Sequence, residues 1–381
     1  MLFNSFFILT FIPYIFSSYI TDKIYDDSIN IVHLTNTFVK PTISKTSEKI
    51  KYYASEKTDS RKNIYINIQN LQHYTCIKFS KQKRKFYGRG LLFERKSYNK
   101  IFINKKNKNT VIQLKEACLK KYACVSYYMG LALGLIPSVN RHDRDKYVKI
   151  NDQNIDDKNK KYFDKVYKSH TKLQNIGFDY GSLMNRDPFY LSTNENQTYT
   201  SKELSFYYDK MLGQRNYFTF NDHKNLYYLY CNNKPTKILC NNGGYYSVFK
   251  KKCICPEGYH GNTCSELVIN SEKCDSKSYG ADKNYKSLSH RGPGICFYEI
   301  YAEKGKKIEI TVTEIRSTNP KEACSPLFGF QIKYDTDKSV TGLVLCGVYI
   351  NDIKLPPKSN RVFIKYVGDR YDKFNVTYRA V

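Results

Sequence analysis

Twelve cysteines in a 381-residue chain limit the fold more than any other feature. Their number is even, and an apolar N-terminal run precedes all of them. That combination points to an oxidised extracellular protein tied together by disulfides. The spacing changes after Cys231. Before it, Cys76, Cys118 and Cys124 are scattered through a long mixed region. After it, Cys240, Cys253, Cys255 and Cys264 fall within a segment too short for a core of its own, so cross-links must hold that segment together. Cys274, Cys296, Cys324 and Cys346 then form two equally spaced pairs. Spacing alone leaves the connectivity of so many cysteines open.

Residues 1–20 hold an apolar stretch, Phe6 to Phe16, that ends at Ser17 and Ser18. This suits a signal peptide over 1–20, the alternative being an uncleaved signal anchor. No other apolar run is long, which excludes a multispan membrane protein and leaves no span after signal removal. Residues 21–46 are polar and aperiodic and read as a leader or pro-segment remnant. The net charge is +27. Its densest stretch is Lys81, Lys83, Arg84 and Lys85, continued by Arg89, Arg95, Lys96, Lys100, Lys105, Lys106 and Lys108. Phe86, Leu91, Phe93, Ile101 and Ile103 interleave with these cations and suggest a basic hairpin. For a secreted chain the expected partners are extracellular proteins or anionic glycans, not nucleic acid. The plainer reading is a solvated face enriched by compositional drift.

From Ser47 to Cys231 the chain reads as one mixed region. KIKYYAS (49–55) and NIYINI (63–68) look like short strands. Ala123 to Leu135 is nearly all apolar and is followed by Pro137, which suits a buried helix. Residues 151–175 are polar and read as loop or a mobile helix. Beyond Cys274, KKIEITVTEI, FGFQIKY, NRVFIKYV and KFNVTYRAV alternate like strands of a β-sandwich. The seven histidines are His33, His73, His142, His170, His223, His260 and His290; no two lie four apart, so no H-E-x-x-H zinc motif exists in the chain.

Four ordered stretches match a family. His73-Tyr-Thr-Cys76-Ile-Lys-Phe79, Asn140 to Ile150 (NRHDRDKYVKI), Phe178-Asp-Tyr-Gly-Ser-Leu-Met184 and Gly213-Gln-Arg215 with Tyr230-Cys231 resemble the catalytic domain of the astacin zinc metalloendopeptidases, a metzincin branch. The resemblance implies an α+β fold: an astacin-like domain over 47–231, an EGF-like module over 232–266 and a β-sandwich CUB domain over 274–381, an order typical of nematode members. In such enzymes two helical histidines and a third past a Gly bend hold zinc, and a Glu activates the bound water.

Carried over residue by residue, with Gly134 and Asp143-Arg144-Asp145 fixing the register, the first His position is Tyr127 and the Glu position is Tyr128. The second and third His positions are Leu131 and Pro137. The Tyr that follows the Met-turn, whose Met is Met184, is replaced by Arg186. A phenol is a poor zinc ligand unless ionised, so no cofactor is expected. Tyr127 and Leu131 should pack as an i, i+4 pair. Arg186 either partly replaces the metal's charge in the cleft floor or points to solvent. Ser138 stands where the family's Glu binds the mature N-terminus, so no activating cleavage is expected.

The resemblance pairs Cys76 with Cys231, Cys240 with Cys253, Cys255 with Cys264, Cys274 with Cys296 and Cys324 with Cys346, and leaves Cys118 and Cys124 for each other. The stretch after Cys324 lacks the carboxylates with which many CUB domains bind calcium. Asn196 and Asn375 begin glycosylation sequons. The expected function is a secreted, catalytically inactive relative that acts by binding protein or glycan. Two alternatives remain: an active zinc metalloendopeptidase with atypical ligands, and a basic surface-adhesion protein.

Overall fold

The computed structural model describes residues 49–103, 109–168, 173, 176–231, 237–274, 277–318 and 323–381. The expected signal peptide, the leader, and Lys105, Lys106 and Lys108 lie outside the described residues.

The first region is built on a five-stranded sheet: β1 (Ile50–Tyr53), β2 (Phe79–Lys81), β3 (Leu91–Arg95), β4 (Lys100–Phe102) and β5 (Thr110–Leu114), in the order β2-β1-β3-β5-β4. All neighbours are parallel except β4 with β5. The expected basic hairpin is met only at the end of the stretch, where β4 pairs with β5; β3 and β4 do not pair with each other. The segment instead supplies β3 to the sheet interior and β4 to its edge, because Leu91, Phe93 and Ile101 are needed in the core, at 0–1% exposure.

Helices α1 (Asn63–Tyr74), α2 (Glu116–Leu119) and α3 (Tyr122–Ala132) accompany this sheet. NIYINI is thus helix, not strand. Its β-branched residues suggest a strand, but Ile64, Ile68 and Leu71 recur at helical spacing and are all buried. The Asp59 carboxylate also accepts hydrogen bonds from the N–H groups of Ile64 and Tyr65, at 2.9 and 3.2 Å, which favours the helix start. Buried Asn63 and Asn67 then tie α1 to the α2–α3 segment through the carbonyls of Leu119 and Tyr122. The polar stretch after residue 150 forms short turns and α4 (Asp157–Lys160). Two strands, β6 (Val148–Ile150) and β7 (Tyr199–Ser201), pair antiparallel, and α5 (Ser205–Tyr208) and α6 (Phe220–Tyr230) complete the region.

Two small antiparallel pairs follow: β8 (Tyr245–Ser247) with β9 (Lys252–Ile254), and β10 (Tyr259–His260) with β11 (Glu266–Leu267). The last region has two sheets. One has the order β12-β14-β20-β16-β17, from β12 (Ser278–Gly280), β14 (Gly294–Tyr301), β16 (Gly329–Lys333), β17 (Leu343–Leu345) and β20 (Arg361–Gly368). The other holds β13 (Lys286–Arg291), β15 (Ile308–Arg316), β18 (Val348–Tyr349), β19 (Ile353–Leu355) and β21 (Lys373–Ala380). Inward residues of both, such as Ile364 and Phe330 against Val312 and Phe374, form one core, as alternating strands of a sandwich should.

The regions interlock. Met211, fully buried, enters the sandwich core, and Val344 N–H points at its sulfur. Tyr208 and Tyr334 hydroxyls meet at 3.0 Å, and Glu203 accepts hydrogen bonds from Tyr334 at 2.8 Å and Lys358 at 2.6 Å. Tyr245 reaches back from the small middle segment to the Tyr74 carbonyl at 2.7 Å.

All twelve cysteines are bonded: Cys76–Cys231, Cys118–Cys124, Cys240–Cys253, Cys255–Cys264, Cys274–Cys296 and Cys324–Cys346. The first closes a separation of 155 residues and the second one of 6. Loop-closure entropy then assigns about 5 kcal/mol to Cys76–Cys231 and about 2 kcal/mol to Cys118–Cys124. Urea denaturation of the full chain should show C76S/C231S losing more than twice the stability lost by C118S/C124S.

Candidate active-site cleft

Helix α3 is apolar on every side, and ten of its eleven residues are buried. It ends in a Schellman motif: Leu135 N–H donates to Gly130 O at 2.9 Å and Gly134 N–H to Leu131 O at 3.1 Å. Gly134 has φ +92°, a conformation that costs other residues strain, and there the chain turns toward Pro137. Gly130 is needed for a different reason. A Cβ there would sit 3.0 Å from the Phe218 ring and 3.1 Å from the Met184 sulfur. Helix and Met-bearing turn therefore approach as closely as the backbone allows.

That turn is fixed from two sides. Asp222, the third residue of α6, closes a capping box with Thr219. Its carboxylate also accepts from the Ser182 hydroxyl at 2.6 Å and the Leu183 N–H at 3.1 Å. Asp179 accepts from Gly181 N–H at 3.0 Å within the turn, and from the N–H and hydroxyl of Thr341 in the sandwich at 3.1 and 3.2 Å. Past the turn, the Met184 carbonyl accepts from Ser138 N–H at 3.1 Å, which joins it to the segment after α3.

Tyr127, Tyr128, Leu131, Pro137, Met184 and Arg186 all come to this place, and all are buried. The rings of Tyr127 and Tyr128 meet edge to face with centroids 5.4 Å apart. Arg186 does not point to solvent: it is 3% exposed, and its guanidinium lies 4.0 Å over the Tyr190 ring. A second guanidinium, that of Arg215, lies 5.7 Å from the centroid of Tyr127, and it donates to Asn185 O at 2.9 Å. The side chains on α3 and its extension are thus phenols, an isobutyl group and a pyrrolidine ring, none of them imidazole or carboxylate. Tyr190, Tyr199 and Arg215 escaped the sequence reading, because nothing in their spacing signals that they converge on Arg186 and Tyr127.

A model of the astacin peptidase family matches residues 39–231, just over half of the chain. The chain belongs to the astacin family. Among curated relatives, zinc metalloproteinase nas-34 of Caenorhabditis elegans is 31% identical over 259 residues, covering 67% of this chain and 42% of the relative. Zinc metalloproteinase nas-23 of the same species is 27% identical over 351 residues, covering 89% and 64%. This chain therefore spans less than two thirds of either relative. A solved structure, high choriolytic enzyme 1, a hatching enzyme zinc-protease from Oryzias latipes (Medaka fish), is 22% identical with a TM-score of 0.40, covering 48% of this chain and 90% of that one. The family match spans α3, its bend at Gly134 and the turn that carries Met184. Among the described residues no group of three or more His, Cys, Asp or Glu side chains is placed to hold a metal ion.

Two buried titrating groups on α6 act in opposite senses. Burial lifts Asp222 to about 6, above its unfolded value near ~3.9, so the native state takes up its proton first and gains stability as pH falls through that window. Burial lowers His223 to about 4, below its unfolded value near ~6.5, so the unfolded state protonates first and stability falls on acidification. Between about pH 6.5 and 4 the two effects offset each other. D222N should steepen the acid loss of stability and H223L should flatten it, read from urea midpoints across that range. The fully buried Tyr128 gives a separate check: Tyr128→Ala should cost about 3–5 kcal/mol by the same urea measurement, as for other large buried aromatics.

Proposed function

We propose that this astacin-family chain is a secreted pseudoprotease that keeps the cleft scaffold and works by binding, not by cutting peptide bonds. The observation that carries this reading is the set of side chains on α3. Zinc in a catalytic site takes three nitrogen, sulfur or oxygen ligands from the protein and needs a basic group beside its water. Tyr127, Tyr128, Leu131 and Pro137 do not fit that requirement. Arg186 and Arg215 add positive charge where a cation would have to be bound, and Coulomb repulsion opposes it further. The neutral Ser138 adds to the same reading, in which no activating cleavage is required.

The same proposal takes 47–231 as the astacin-like domain, 232–266 as an EGF-like module and 274–381 as a CUB domain, the modules through which partners are held. Six disulfides support an extracellular setting. No described helix is long and apolar enough to cross a membrane. Asn196 is exposed and Asn375 half-buried in β21, so glycan attachment is proposed at Asn196 in preference to Asn375. Extracellular proteins or anionic glycans are the proposed partners.

Metal analysis by mass spectrometry on secreted protein, with a broad peptide-cleavage assay, tests the reading. The expected result is less than stoichiometric zinc and no cleavage. One zinc per chain with chelator-sensitive cleavage would establish an active metalloendopeptidase whose ligands lie outside the aligned positions.

A further inference from the structure

Parallel strands β1 and β3 are neighbours, yet the chain leaves them in opposite directions. From β1 it passes through α1 to β2, on the far side of β1. From β3 it passes to β4 and β5, on the far side of β3. Connections that diverge in this way open a crevice beyond the carboxyl ends of the two strands, where open α/β sheets place ligands. A cavity of about 550 Å³ lies there. Tyr53 ends β1 at one wall, Phe93 to Arg95 end β3 at the other, and Ser55 and Thr58 pair their hydroxyls at 2.8 Å between them. Its volume is in the range of small-ligand pockets, about 300–1,000 Å³.

The rim is cationic. Lys57, Lys85, Arg95 and Lys96 surround the opening, and all four are exposed. Carboxylates answer two of them: Glu94 accepts from Lys85 at 2.6 Å, and Glu116 accepts from Arg95. Glu116 is shared with Lys120. Lys57 and Lys96 make no ion pair among the described residues. Lys81 ends β2 opposite Tyr52 of β1, and exposed Lys83 and Arg84 connect it in sequence to Lys85 at the rim. A single small anion needs no such track, whereas a chain of anionic groups does.

We propose that this crevice binds an anionic oligosaccharide, one charged ring seated between Lys57 and Lys96 and the rest following Lys81 to Lys85. The inference rests on the binding-protein reading above for its partner class. It is independent of whether α3 supports catalysis.

The test is calorimetric titration of the full chain with a sulfated glycosaminoglycan hexasaccharide, at physiological ionic strength and at several higher salt concentrations. A second arm uses a non-sulfated uronate hexasaccharide, which tells sulfate from carboxylate as the recognised group. The expected result is salt-sensitive binding of one or both. K57E/K96E should weaken it at least about tenfold, and K57Q/K96Q should weaken it less. K304E/K306E, the same charge change on exposed sandwich lysines, should alter it by less than about twofold. Equal losses in the two reversal variants would mean that net charge alone attracts the glycan and would overturn the site. Unchanged binding in K57E/K96E would overturn the crevice while leaving an anionic partner in place. No binding by the unaltered chain, or binding only to phosphatidylserine vesicles, would overturn both the crevice and the glycan partner. Loss of catalysis would still be decided separately, by metal content and cleavage.

Discussion

Two buried carboxylates fix the turn that carries Met184, and the other parts of the molecule are arranged around that turn. Asp222 reaches it from α6 and Asp179 from within, and Asp179 also receives the loop of the sandwich that contains Thr341. Each accepts several hydrogen bonds, which offsets the cost of burying a carboxyl group. Removing either would leave donors from two or three elements unsatisfied together. The cleft floor is therefore held by polar contacts of high direction. Its walls, α3 and the sheet, are held by apolar contacts of low direction.

That division separates what holds the cleft scaffold from what lines it. The determinants of the helix end are Gly134, Gly130 and the fit of Met184 beneath them. None depends on what occupies positions 127, 128, 131 and 137. Phenols and an isobutyl group fill three of those positions, and α3 packs as a core helix, buried at ten of its eleven residues. Two guanidiniums settle against aromatic faces in the same place.

Much of this was legible in the residues. The apolar run at 123–135 needs only length and composition to be read as a buried helix, and strand alternation after Cys274 needs only a period of two. Family motifs supplied the disulfide pairs. The misread elements share a physical cause. NIYINI has strand composition but helix spacing, and the Asp59 carboxylate that favours its helical start lies outside the segment. The basic stretch from Lys81 reads as a hairpin locally, yet β3 pairs with β1, about 40 residues earlier, and with β5, which also takes up β4, so β3 and β4 never meet. The convergence of Tyr190 and Arg215 on Arg186 and Tyr127 is likewise tertiary, and no local pattern encodes it.

Burial of Met211 and Tyr208 in the sandwich also sets a timetable for synthesis. The strands that cover them, β16 and β17, are made roughly 130 residues later, a delay of about 6–26 s at ordinary elongation rates of ~5–20 residues per second. Throughout that interval the newly made first region carries a sticky apolar spur with no partner. Until β16 and β17 emerge, the first region of the nascent chain cannot reach its final packing at Met211 and Tyr208.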